Sequence, residues 1–285
     1  MRLTATVPAT CANLGPGFDA FGLALDLCNE VTVDADAQPG ITWEGEGADE
    51  LPADGSDMAG RAIAHAARMA GSPVPPVSRH GRNRIPLDRG LGSSAAACVA
   101  GILLADRLLG LRLEPDEVLE LATELEGHAD NAAAAIAGGL TIAFGDGVVR
   151  LDPHPDVHPV VLVPRDLRLP THQARALLGD TVPRIDAVFN AAHAAATAVA
   201  LVARPELLTQ ALEDRIHQDA RLAGLPAARD KFDELRAIGI PVCVSGAGPS
   251  LLAFELPGRA VPDPGEGWQA LRPGIRRRGA EVEER

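Results

Sequence analysis

The stretch RIPLDRGLGSSAAACVAG, residues 84–101, runs a glycine-serine loop straight into an alanine-rich segment with the composition of a helix. A helix opening at Ser93 or Ser94 leaves its first backbone N–H groups without intrahelical partners, and the helix dipole adds partial positive charge at the same end. Such an end suits an anion, and Gly90 and Gly92 let a bulky one approach the backbone closely. The segment reads either as a phosphate cradle or as a glycine loop capping a buried alanine helix. Two common phosphate sites are excluded. A Walker loop needs lysine after its last glycine, whereas Ser93 follows Gly92 here, and the only lysine, Lys231, lies in RDKFDEL with no glycine loop before it. The dinucleotide fingerprint also fails, because SGAGPSLL has Gly246 and Gly248 but leucine at position 251.

The rest of the chain bounds what could bind. At 285 residues it is long enough for two domains, and 46% apolar residues describe an ordinary globular protein. Acidic residues outnumber basic ones 39 to 26, for a formal charge of −13, which argues against nucleic acid or an anionic membrane surface as partner. An anionic substrate needs a local basic pocket, built from arginine since lysine is almost absent. Cys11, Cys28, Cys98 and Cys243 lie far apart, which suggests neither a zinc site nor a disulfide framework and fits a reducing compartment. MRLTATVPAT does not read as a signal peptide, and the uncharged, alanine-rich run 187–203 is shorter than the roughly 20 strongly apolar residues of a membrane span. A cytoplasmic protein is expected.

Alternation predicts early strands in RLTATV, FGLALDL and EVTVDA, and helical spacing predicts helices over 58–71, 93–110 and the segment EPDEVLELATELEG. Serines suited to an N-cap open the second of these helices, and Gly110 closes it. GGLTIAF and GVVRL read as a hairpin. The proline-rich DPHPDVHP, 152–159, is the best linker, followed by a strand in VVLVP, helices near 171–178, 185–203, 205–223 and 226–238, and two strands about a glycine turn in PVCVSGAGPSLLAFEL. The tail after residue 257 carries little periodic signal.

Four blocks make the reading specific. IPLDRGLGSSAAA (85–97) resembles the phosphate-binding motif of the GHMP small-molecule kinases, and VPATCANLGPGFDAFGLAL (7–25) narrows the resemblance to the homoserine kinase family within them. EGHADNAAAAIAGGLTI (126–142) and VSGAGPSLLAF (244–254) supply the remaining blocks in order. The resemblance implies an α+β, two-domain GHMP kinase fold. Its N-terminal ribosomal protein S5 domain 2-like domain would span 1–152 and its C-terminal ferredoxin-like domain 153–285, with ATP and L-homoserine between them and O-phospho-L-homoserine made for threonine biosynthesis. It also allows a homodimer. Other GHMP kinases, acting on mevalonate-pathway intermediates or sugars, usually carry Asp rather than Asn after the HxD-like position and lack NLGPGFD. An inactive nucleotide-binding regulator would be expected to have lost Ser94 or the glutamates.

The same resemblance assigns roles. The ATP phosphates would lie on the loop of Pro86, Arg89, Gly90, Leu91, Gly92, Ser93, Ser94 and Ala95. Mg²⁺ would be held by Ser94 and a glutamate, Glu126 or, with a longer loop in the alignment, Glu124. Mg²⁺ favours hard oxygens, few of them from protein. Asn13 and Asp19 would meet the hydroxyl end and the ammonium of homoserine. Cys11 stands where serine is usual, which puts any hydrogen bond from that position in doubt. Thr171 and Arg175 in LPTHQAR and Arg221 in DRIHQDAR would line the site, the arginines taking the carboxylate as planar forks. His128 and Asp130 would shape the homoserine site, and Gly246 would close it from the second domain. Asn131 stands where sister kinases carry an aspartate proposed as general base. An amide cannot serve so, and the expectation is that Asn131 orients the substrate hydroxyl.

Overall fold

The alternation in RLTATV buries Leu3, Ala5 and Val7 on one face of strand β1 (Arg2–Ala12). The computed structural model describes residues 1–145 and 147–284, the side chains of residues 171 and 172 excepted. Antiparallel to β1 runs β2 (Phe21–Asp34), one bent strand where FGLALDL and EVTVDA read as two. The register slips between Pro8, opposite Cys28, and Ala9, opposite Leu25. A proline has no N–H to give the ladder, so the irregularity sits where a bond is already missing. β3 (Gly40–Gly45), helix α1 (Met58–Met69), β4 (Ser78–Asn83), α2 (Ser93–Leu109), α3 (Pro115–Glu126), α4 (Asp130–Ala137) and the hairpin β5 (Leu140–Phe144) and β6 (Gly147–Leu151) follow.

Beyond its bend, β2 divides its outer edge. Residues 30–34 pair with β4 and residues 21–23 with β5. β3 and β4 are absent from the sequence reading because β4 turns Arg79, Gly81 and Asn83 inward, the reverse of the usual pattern. Arg79 is buried against Asp57, which also caps α1 by accepting from the Gly60 N–H. The helices cover one face of the sheet, with α2 against β1 and β2 and apolar nearly all round, as a central helix must be.

The second lobe holds β7 (His158–Pro164), α5 (Thr171–Arg175), α6 (Arg184–Val202), α7 (Leu208–Ala211), α8 (Gln218–Ala223), α9 (Pro226–Ala237), β8 (Val242–Val244), β9 (Leu251–Glu255) and β10 (Trp268–Leu271), and ends in β11 (Glu281–Glu284). The helix expected over 205–223 is broken. The Asp214 carboxylate accepts the N–H groups of Ile216, His217 and Gln218 and so starts α8 afresh. α6 has 19 residues and is long and apolar enough to cross a membrane by length and composition, with 22% of it buried. Its buried Asn190 and Thr197 bond Asp214 and the Ala211 carbonyl.

The antiparallel second sheet runs β10-β7-β9-β8, which by chain order within the lobe is 4-1-3-2, the ferredoxin-like order. The second crossover is a loop, since no helix joins β9 to β10 among the described residues. Val160, Leu162, Leu251 and Ala253 pack on one face against Leu222 and Phe232, while Val161, Val163, Leu252 and Phe254 join the core of the first lobe. The tail has more order than its pattern predicts, because β11 crosses back to pair with β1. We propose a lobe boundary at 152–157, with residues 281–284 counted in the first lobe.

Candidate active site

The loop before α2, the turn after β1 and the turn between β8 and β9 enclose a cleft of about 450 Å³. Pro86 and residues 89–95 form one wall. The helix is capped by Gly92 rather than by serine, and no side chain bonds its first N–H groups, which leaves those donors for a ligand. Gly92 has φ +65°, and a Cβ there would stand 2.0 Å from Thr10 Oγ1 and 3.0 Å from Asn131 Oδ1. Gly90 has φ +69°, and a Cβ there would stand 2.1 Å from the Ser245 carbonyl oxygen. Glycine is thus required at both positions by close neighbours as well as by backbone conformation. Ser245 Oγ donates to the Gly90 carbonyl at 2.7 Å and lies 2.9 Å from Cys11 Sγ, so the cysteine at the usual serine position still meets a polar partner. Burial pushes the Cys11 thiol up to about 12.

Ser94 Oγ donates to Glu126 Oε1 at 2.6 Å. Burial raises the Glu126 carboxyl, opposed by that bond and by nearby His128. Glu124 faces elsewhere, with its Oε2 at 2.7 Å from Nε2 of His65 on α1. Two hard oxygens beside the phosphate loop fit Mg²⁺, which keeps water and phosphate oxygens for its other positions. Among the described residues no group of three or more His, Cys, Asp or Glu could hold a metal by itself.

The HADN block bends into the same wall. Buried Asp130 takes the His128 ring N–H and the Asn131 backbone N–H, each at 2.7 Å, and the first contact raises the His128 pKa. Thr10 Oγ1 donates to Asn131 Oδ1 at 2.8 Å. The buried hydroxyl of Thr10 is a residue the sequence reading missed, although it lies inside the quoted 7–25 block.

At the other end of the cleft the side chains come from remote parts of the chain. Asp19 and Arg175 form a two-bonded ion pair, at 2.7 and 3.2 Å. The Asn13 amide is engaged at both ends, accepting from the Asp19 N–H and donating to the Gly246 carbonyl, so it fastens the two lobes. Asn13, Leu14 and Asp19 all have positive φ, and Leu14 does so while fully buried. Backbone strain of this kind persists where surrounding structure holds it. Arg221, 2% exposed, donates to the Gly246 carbonyl at 2.6 Å and faces His217 Nδ1 at 3.1 Å. Burial lowers its guanidinium to about 10, and its Nε has no partner. His217 Nε2 donates to the Gly15 carbonyl, and burial pushes this ring down to about 4, so it stays neutral. Thr171 opens α5, and its side chain lies outside the described residues. Arg89 lines the cleft while donating to the Arg165 carbonyl at 2.8 Å.

Sequence reasoning also missed Met58, Arg61 and Asp88, which line the cleft from α1 and the loop before α2. Nothing in the sequence distinguishes a surface arginine on a helix from one that faces a ligand. An adjoining cavity of about 230 Å³, lined by Trp43, Leu51, Met58 and Leu87, shares Met58, Asp88, Ser93 and Ser94 with the cleft. The signal for it was out of reach, since Trp43 sits on a strand that was not predicted.

The profile of the GHMP kinases N terminal domain matches residues 57–139, which contain α2 and the HADN block. The chain is 46% identical to a homoserine kinase of Clavibacter michiganensis over 89% of its own length and 82% of that protein's. It is 44% identical to a homoserine kinase of Streptomyces avermitilis over 97% and 94% of the two lengths. A solved homoserine kinase from Cytophaga hutchinsonii, 24% identical, superposes with a TM-score of 0.83 over 99% of this chain and 97% of that one, which shows the shared fold. With relatives this similar along nearly the whole chain, the protein belongs to the homoserine kinase family of the GHMP kinases.

Proposed function

We propose that this protein transfers the terminal phosphate of ATP to the hydroxyl of L-homoserine, giving O-phospho-L-homoserine and ADP in threonine biosynthesis. The observation that carries the reading is one cleft with two unlike ends: uncapped helix N–H groups beside Ser94 and Glu126, and an Asp19, Arg175 and Arg221 set that complements a zwitterion. Phosphoryl transfer asks mainly for positioning and charge stabilisation. The substrate oxygen bonds the terminal phosphorus, the bond to the bridging oxygen breaks, and ADP leaves with that electron pair.

The residues act as follows. The first turn of α2 holds phosphate oxygens, and Ser94 and Glu126 hold Mg²⁺, which when bound neutralises charge on the phosphates. The Trp43, Leu51 and Leu87 cavity suits the adenine ring. Asp19 turns from Arg175 to the substrate ammonium, releasing the Arg175 fork for the carboxylate beside Arg221. Asn131, held by Thr10, orients the hydroxyl, and the hydroxyl proton passes to a phosphate oxygen or to water. The same reading takes the protein as cytoplasmic, with neither nucleic acid nor membrane as partner and with a homodimer as its assembly.

The test is ADP release with ATP and Mg²⁺ against L-homoserine, L-serine, L-threonine, mevalonate and galactose, with the product identified by ³¹P NMR. Release dependent on homoserine and a phosphomonoester of homoserine are expected. Faster turnover with mevalonate or galactose would overturn the substrate assignment.

A further inference from the structure

Four arginines line the cleft, and three are committed. Arg89 donates to the Arg165 carbonyl, Arg175 is paired with Asp19, and Arg221 is buried against Gly246 and His217. The side chain of Arg61, exposed near the start of α1, makes no hydrogen bond or ion pair among the described residues. It shares the cleft wall with Ser93, Ser94 and Glu126 and is close enough for its charge to act on the Glu126 carboxyl. The single lysine cannot help, because Lys231 sits on α9 and pairs with Glu234.

A nucleoside triphosphate brings about four negative charges into a protein whose own formal charge is −13. Backbone N–H groups and one divalent cation do not balance that charge. We propose that Arg61 binds the terminal phosphates of the nucleotide, its guanidinium donating to non-bridging oxygens on the side of the phosphate loop facing α1. This deepens the ATP and homoserine reading above and rests on it. An arginine whose side chain is exposed and unpaired loses no internal partner when it turns to phosphate, and its planar fork suits two oxygens at once. Asp19 pairs with Arg175 and not with Arg61, so the effect of Arg61 is expected on the nucleotide.

The experiment titrates ATP, ADP and AMP, with Mg²⁺ present, into wild-type, R61A and R61K protein by calorimetry, and measures the homoserine KM of each. R61A is expected to weaken ATP about 10- to 100-fold, ADP less and AMP by less than about twofold, with the homoserine KM within about twofold and with R61K recovering part of the ATP affinity. Equal weakening of all three nucleotides, unchanged ATP binding, or a change confined to the homoserine KM overturns the proposal. Thermal melts of R61A that match wild type separate these results from misfolding. Failure of the wild-type protein to bind ATP overturns the nucleotide reading itself, before any variant is compared.

Discussion

The two ends of the cleft are built by opposite means. The phosphate-loop end is one short contiguous stretch that works through backbone, with glycines at 90 and 92 and uncapped N–H groups at the start of α2. The other end is made of polar and charged side chains gathered from afar: Asn13 reaches Gly246 across 233 positions and Asp19 reaches Arg175 across 156. Backbone donors are fixed in place before a ligand arrives, so that end is already organised for an anion. The charged end satisfies itself in the interim, Asp19 standing in for a carboxylate toward Arg175 and Arg175 for an ammonium toward Asp19. On the proposed reading a zwitterionic amino acid would exchange one internal pair for two external ones, and a ligand with a single charge would leave one partner stranded.

If the loop end depends on main chain, adding one carbon there has the largest effect. Gly92→Ala places Cβ against Thr10 and Asn131 in a left-handed conformation, and kcat/KM is expected to fall by at least about 100-fold in a steady-state assay, with the fold retained by circular dichroism. Activity within about fivefold of wild type would show that the loop has slack the geometry denies. Glu126→Gln should lower kcat by more than about tenfold and raise the Mg²⁺ requirement, whereas Glu124→Gln, whose carboxylate meets His65, should stay within about threefold. The reverse ranking would give the metal to Glu124.

At the other end the expected effect is smaller and separable. Arg175→Ala should raise the homoserine KM by roughly tenfold or more while ATP affinity, measured by calorimetry, moves by less than about threefold. A parallel loss of ATP binding would merge the two ends into one phosphate site. The smallest effect is on stability. The folded pKa of His217, about 4, is below its ordinary 6.5, so in that interval the unfolded chain binds a proton the folded chain refuses. The stability it contributes is complete above pH 6.5 and is lost as pH falls toward 4. A series of thermal melts should show wild type losing more than His217→Gln across that window, and parallel curves would mean that His217 is protonated in the fold.

How far the sequence could be read follows the same division. Helix α2 was legible to within about a residue, because Gly110 closes it and an apolar run fills it, although its cap is Gly92 where serine was expected. The glycine loop before it was legible for the same local reason. β4 was not, since its inward positions are Arg79, Gly81 and Asn83, and the first of them is made tolerable by Asp57 at the start of α1. The break at Asp214 was hidden because a carboxylate that caps a helix looks, in sequence, like one on a helix surface. Arg175 and Arg221 were reached only through family resemblance, as no spacing marks a contact across 156 residues. Arg61 had neither kind of signal, and its lack of a partner exists only in three dimensions.

The central claim is that the charged end is built for both charges of an amino acid. Its most direct test compares kcat/KM for L-homoserine with that for 4-hydroxybutanoate, which lacks the ammonium, and 3-aminopropan-1-ol, which lacks the carboxylate. Each loss should cost about 100-fold or more, because Asp19 or the arginines are then left unpaired, while ATP affinity is unchanged. Phosphorylation of either analogue at a rate close to that of homoserine would contradict the account.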